Sequence, residues 1–130
     1  MMERVAEADL RAGDCEVFTF DVDRVERARQ ALWADSELEA VADLLKLAGS
    51  PARLRILLSL AIGELCVCDL AQVLGLSVSA TSNQLQTLRR AGLIKFRKSG
   101  KLAFYSLRRP ELLELVTQAR AMATAAGERP

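Results

Sequence analysis

Histidine is missing altogether from this 130-residue chain. That removes Ser-His-Asp and Cys-His catalysis, along with histidine-ligated zinc. Aromatic residues are scarce, 5% of a composition that is 51% hydrophobic, so a core must be built from Leu, Val, Ile and Ala. Such a balance favours packed amphipathic helices over a β-sandwich. Long apolar runs are lacking too. The densest, Ile56 to Ile62 (ILLSLAI), includes Ser59 and falls short of the roughly 18 residues that cross a bilayer. The opening MMERVAEADLRAGD is mixed in charge and has no apolar centre like that of a signal peptide. A soluble, cytoplasmic protein without a membrane partner is expected. The seven glycines are scattered and build no phosphate-cradling loop. No enzyme is expected, and the length suits one domain around one core.

Acidic residues are absent from one long stretch. Net charge is +1, yet Met1 to Asp69 carries 8 basic and 14 acidic side chains. The next 41 residues, Leu70 to Pro110, carry 8 basic ones (Arg89, Arg90, Lys95, Arg97, Lys98, Lys101, Arg108 and Arg109) and no acid. A surface of one sign at that density attracts polyanions.

The apolar spacing sets out the elements. Residues 1–20 read as an arm, followed by one domain over 21–126. Asp21 to Trp33 has Val22, Val25, Arg29 and Leu32 at helical spacing behind an acidic first turn. A second helix is expected from Ser36, with Ser36 and Glu39 as a capping box and Leu38, Val41, Leu44, Leu45 and Ala48 as its buried stripe. Gly49-Ser50-Pro51 separates it from a third helix, capped by Ser50 and running to about Ile62. That helix is apolar nearly all round, which places it at the centre of a core.

Two short helices follow, about Asp69 to Leu74 and Val78 to Ala91, joined by Gly75-Leu76-Ser77. This is the helix-turn-helix arrangement. Val78, Thr81, Leu85 and Leu88 share an inward face. Ser79, Ala80, Asn83, Thr87 and Arg90 lie roughly opposite, with Gln84 at the margin and Ser77 at the start. Small polar side chains there suit base edges in a major groove. After Gly92, Leu93 to Lys98 and Leu102 to Leu107 read as strands joined by Ser99-Gly100-Lys101. The tip of this hairpin carries Arg97, Lys98 and Lys101, placed to meet phosphates beside the groove. Pro110 opens a last helix to about Ala126, with Leu112, Leu113, Leu115, Val116, Ala119 and Met122 on a broad apolar face. The first helix or a second subunit must cover it. The whole reads as mainly α with a β-hairpin wing: a winged helix-turn-helix, homodimeric, bound to double-stranded DNA.

Cysteine is the remaining scarce residue, with three in the chain: Cys15, Cys66 and Cys68. Thiolates select soft or thiophilic ions. Cys66 and Cys68 lie about 200° apart on a regular helix, so they converge only in an irregular turn ahead of it, where the helix dipole favours the thiolate. Two thiols do not make a selective site, and packing as small hydrophobes is the plainer alternative.

Residues 36–107 resemble the ArsR/SmtB family of metal-sensing bacterial repressors. The resemblance is carried by ELCVCDLA at Glu64 to Ala71, by the S-x-S-x-x-S-N-Q-L-x-x-L segment at Ser77 to Leu88, and by AGLIKFRKSGKLAFYSL at Ala91 to Leu107. Arsenite repressors of the family place a third cysteine where this chain has Ala71. Cadmium/lead repressors of the CadC type carry a C-E-(I/V)-F segment in an N-terminal arm, which Cys15-Glu16-Val17-Phe18 resembles. Their arm has one further cysteine, at a position occupied here by Thr19. The resemblance thus implies a metal site of Cys15, Cys66 and Cys68, with the arm reaching the other subunit. Three sulfurs suit Pb(II), As(III), Sb(III) or Bi(III); Cd(II) and Zn(II) prefer a fourth donor. A second family site on the C-terminal helix uses histidine and carboxylates. With Glu111 and Glu114 alone there, it is expected to be missing.

The resemblance implies an operator-binding apo homodimer released by Cd(II) or Pb(II), derepressing a resistance or efflux gene. An arsenite/antimonite repressor using the same thiols stands as an alternative, and so does a thiol redox sensor. A dimerisation module that has lost DNA binding is a third.

Overall fold

A computed structural model describes residues 19–125. Six helices and three strands follow one another: α1 (Val22–Ala31), α2 (Asp35–Ala48), α3 (Pro51–Leu60), β1 (Leu65–Cys66), α4 (Val67–Leu74), α5 (Val78–Arg90), β2 (Ile94–Ser99), β3 (Leu102–Leu107) and α6 (Leu112–Ala125). The chain divides into two compact units within α2, after Val41. The expected arm lies almost wholly outside the described residues.

In the first unit Asp21 caps α1, its carboxylate accepting from the amides of Asp23 and Arg24 at 3.0 and 3.3 Å. No residue of α1 is buried. The next helix starts one residue earlier than expected, at Asp35. The Ala34 amide ahead of it donates to Glu37 Oε1 (3.2 Å), so the carboxylate of Glu37, two residues before Glu39, takes the place of the expected Ser36/Glu39 capping box. Leu38 and Val41 belong to the exposed side chains.

The second unit holds the core. Ile56, Leu57 and Leu60 of α3 are buried against Leu70, Leu85, Leu88, Leu93, Ile94, Tyr105 and Leu112. Ser50 accepts from the Arg53 amide at 3.4 Å with Pro51 at the first helical position, as expected. The third helix stops at Leu60, two residues short of Ile62, and its outer side chain Leu58 is exposed. The expected burial of the α2 stripe fails in part, and the apolar face of the last helix, expected to need the first helix or a second subunit, is largely exposed in one copy. Within the α2 stripe Ala48 is buried and Leu44 packs against the core, but Leu45 is 52% exposed. Along α6 only Leu112 is buried, while Leu115 is 41% and Met122 76% exposed. Among the described residues nothing covers these side chains. Leu45, Ala48, Leu54, Leu58, Leu115, Val116 and Ala119 instead line an apolar groove of about 480 Å³.

The sheet has three antiparallel strands in the order β1-β3-β2. Leu65 pairs with Tyr105 and Cys66 with Phe104. On the other side of β3, Phe96 pairs with Tyr105 and Arg97 with Phe104. Phe96 and Tyr105 stack at 5.8 Å between ring centroids, and the Arg89 guanidinium lies 4.0 Å over Phe96. The hairpin matches the expectation to within a residue. Gly100 takes a positive φ of 64° at its turn, a conformation that side chains resist.

Candidate functional site

The pair of helices expected to read DNA is built by short-range capping. Gly75, at φ 67°, ends α4 and donates to the carbonyls of Ala71 (2.8 Å) and Gln72 (3.3 Å). Two residues later Ser77 caps α5, its hydroxyl oxygen accepting from the Ala80 amide at 3.0 Å. Thr81, Leu85 and Leu88 anchor α5 in the core. Thr81 is fully buried, and its hydroxyl donates to the Ser77 carbonyl at 2.8 Å. Val78 was expected on this inward face but is 49% exposed, because it sits in the first turn, beyond the reach of the core.

On the outward side Ser79, Asn83 and Arg90 are exposed and Ala80 and Thr87 half-buried. Thr87 spends its hydroxyl hydrogen on the Asn83 carbonyl, at 3.2 Å. Gln84 is held from below. Its Oε1 accepts from Arg53 Nε at 3.0 Å, and the same guanidinium donates to the Leu47 carbonyl at 3.1 Å. The arrangement leaves Gln84 its amide hydrogens. Gln86, half-buried, completes the row 79-83-86-90 at helical spacing. A helical wheel finds it; the expected set omitted it.

Of the three wing-tip cations, Lys98 and Lys101 are exposed. Arg97 is turned back along the sheet, where its Nε and Nη2 each bond a Glu64 oxygen at 2.8 Å. The guanidinium also sits 5.0 Å from the Phe104 ring centroid. The Arg97 hydrogen bonds hold the Glu64 carboxyl below the ordinary carboxylate range. Expecting Arg97 only as a phosphate contact therefore missed its partner. The signal was that Glu64 is one of the last two acids before the acid-free stretch.

The cysteines lie where β1 meets α4. Helix α4 begins at Val67, two residues earlier than expected, so the irregular turn is replaced by a strand end and a helix start. Cys66 is the N-cap residue in extended conformation, and its amide donates to Asp69 Oδ2 at 3.2 Å. It is 7% exposed, whereas Cys68 in the first turn is exposed, and both are free thiols. Cys15 lies outside the described residues. Among the described residues no three Cys, Asp or Glu side chains converge on one point. Thiolates are the chemistry a thiophilic ion selects, but with one thiol buried and the other exposed, Cys66 and Cys68 do not by themselves make a closed site among the described residues.

Residues 50–95 match the family described as bacterial regulatory protein, arsR family. A cadmium resistance transcriptional regulatory protein, the CadC homolog of Staphylococcus aureus, is 37% identical over 106 residues, covering 81% of this chain and 87% of that protein. The chain belongs to the ArsR family of regulators. Two solved structures agree with its fold. The crystal structure of the antimony-specific transcriptional repressor AntR matches with a TM-score of 0.66 at 31% identity, over 75% of this chain and 89% of that one. A homodimeric winged helix-turn-helix DNA-binding domain from Mycobacterium bovis matches with a TM-score of 0.64 at 28% identity, over 77% and 95%.

In this winged helix-turn-helix, α4 and α5 are the paired helices and β2–β3 the wing. No helix among the described residues is long and apolar enough to span a membrane.

Proposed function

We propose that this chain is a homodimeric, metal-responsive repressor that binds operator DNA when metal-free and is released by Cd(II) or Pb(II). The C-x-C at the β1–α4 junction carries the reading: its two free thiols sit at the N-cap and in the first turn of the first helix of the helix-turn-helix. The likeness to a cadmium resistance regulator over four-fifths of the chain supports it. Cys66 and Cys68 supply two thiolates, and Cys15 of the arm, reached from the other subunit, supplies the third. Such an ion polarises nothing; it draws its ligands together and so favours one arrangement of the dimer. An allosteric coupling of about 1–3 kcal/mol, or five- to 150-fold in affinity, is sufficient. Ser79, Ala80, Asn83, Thr87 and Arg90 face base edges, with Ser77 and Gln84 beside them, and Lys98 and Lys101 meet phosphates. The groove along α2, α3 and α6 is the dimer surface, since Leu45, Leu58 and Leu115 on it are exposed in a single copy.

A second reading keeps the same three thiols and takes As(III) or Sb(III) as inducer. The match to an antimony-specific repressor favours it. One experiment separates the two: a DNA-binding titration with Cd(II), Pb(II), Zn(II) and As(III) in parallel, under reducing conditions. Release by Cd(II) or Pb(II) at the lowest concentration is expected, and Cys66→Ser should abolish it. Release that survives Cys66→Ser would sink the sensing assignment.

A further inference from the structure

The segment that bears the C-x-C is fastened to the wing in two ways. The first is the backbone ladder, since Cys66 pairs with Phe104 on β3 and Phe104 pairs with Arg97 on β2. Residues directly opposite on neighbouring strands place their side chains on the same face. A thiol, an aromatic ring and a guanidinium therefore form one row across three strands. The second fastening is the Glu64–Arg97 pair, bidentate at 2.8 Å in both bonds, which closes the row back to a residue two positions before Cys66. The guanidinium is thus fixed on two sides, by the carboxylate and by the Phe104 ring 5.0 Å away.

We propose that Glu64 and Arg97 are positioning residues that transmit ion binding at Cys66 to the wing. This rests on the metal-sensing reading above. Drawing Cys66 toward an ion displaces the end of β1. A bidentate pair is rigid in direction as well as distance, so Arg97 and the wing must follow. The strand alone transmits less, because β1 is only two residues long. Arg97 then acts as the wing's anchor rather than as one more surface cation, and Glu64 acts on DNA binding without touching DNA.

The test uses the full chain, a duplex selected by the wild type from a random pool, and Cd(II) and Pb(II) as probes. Wild type, Glu64→Gln, Arg97→Gln and the double variant are compared for DNA affinity with and without metal. Metal affinity is read independently from thiolate-to-metal absorption. Hydrogen exchange over residues 94–107, without DNA, reports the wing itself. Each single variant should bind metal as the wild type does, while its ratio of metal-free to metal-loaded DNA affinity falls about tenfold, within the usual span of such couplings. The double variant should lose no more than either single one, as expected for residues that act as a unit. Metal should alter wing exchange in the wild type and leave it nearly unchanged in the variants. The ratio is internal to each variant, so a direct Arg97–phosphate contact cancels to first order. An undiminished ratio in Glu64→Gln, with the wild type responding, overturns the inference and leaves the sensing function intact. If the wild type is not released by either metal, the sensing reading fails for these ions and takes the inference with it.

Discussion

Helices α5 and α6 are nearly equal in length, 13 and 14 residues, yet they treat their apolar side chains differently. The first is polar for most of its length, and it still buries Thr81, Leu85 and Leu88. The second carries more apolar residues and buries only Leu112. Apolar content therefore does not measure how tightly a helix is held within one copy. A few side chains aimed at α3 and β2 hold α5, and its other face is left for recognition. The surplus on α6 is exposed in one copy, and large exposed apolar patches commonly mark contact surfaces.

Substitutions can break this contrast, and the largest effect belongs to the helix with fewer apolar residues. Leu85→Ala, at a fully buried position, should cost about 2–5 kcal/mol of stability, as large-to-small core changes do; urea unfolding measures it. Thr81→Val keeps the volume and loses the bond to Ser77, for about 1 kcal/mol by the same assay. On α6, Leu115→Gln should shift the unfolding of a single copy by no more than about 0.5 kcal/mol. It should nevertheless remove the dependence of Tm on protein concentration that a dimer imposes. A large loss of stability at high dilution would show that Leu115 is a core residue after all. The smallest effect on folding is expected for Asn83→Ala, with Tm unchanged and DNA binding weakened by about 1–3 kcal/mol, the range for a lost base contact.

Features governed by neighbours in sequence were legible in advance. Ser50-Pro51, Gly75-Leu76-Ser77 and the Ser99-Gly100-Lys101 turn each act through atoms a few residues away, and each was found where spacing placed it. Features that depend on distant partners were not. Arg53 and Gln84 are 31 positions apart, Glu64 and Arg97 33, and no local pattern announces either pair. The strand β1 escaped for another reason: two residues have no periodicity to detect. The α2 stripe was read correctly as apolar, but Leu38, Val41 and Leu45 were read wrongly as buried, because periodicity marks a face without naming what covers it. For the candidate site, the cysteine spacing was visible and the contrast in exposure between Cys66 and Cys68 was not. That contrast follows from Cys66 ending a third strand on the expected hairpin, and that strand the sequence did not disclose.

The strand order has one more consequence. Among the described residues, with β3 in the middle and β1 covering part of its far side, β2 is the long free edge of the sheet. Its unpaired backbone groups form a template onto which another chain could add a strand. Lys95 and Lys98 lie along that edge and are exposed. Two copies approaching edge to edge would bring like charges together, which guards against aggregation. The cations that suit this hairpin to a phosphate backbone also keep it from polymerising.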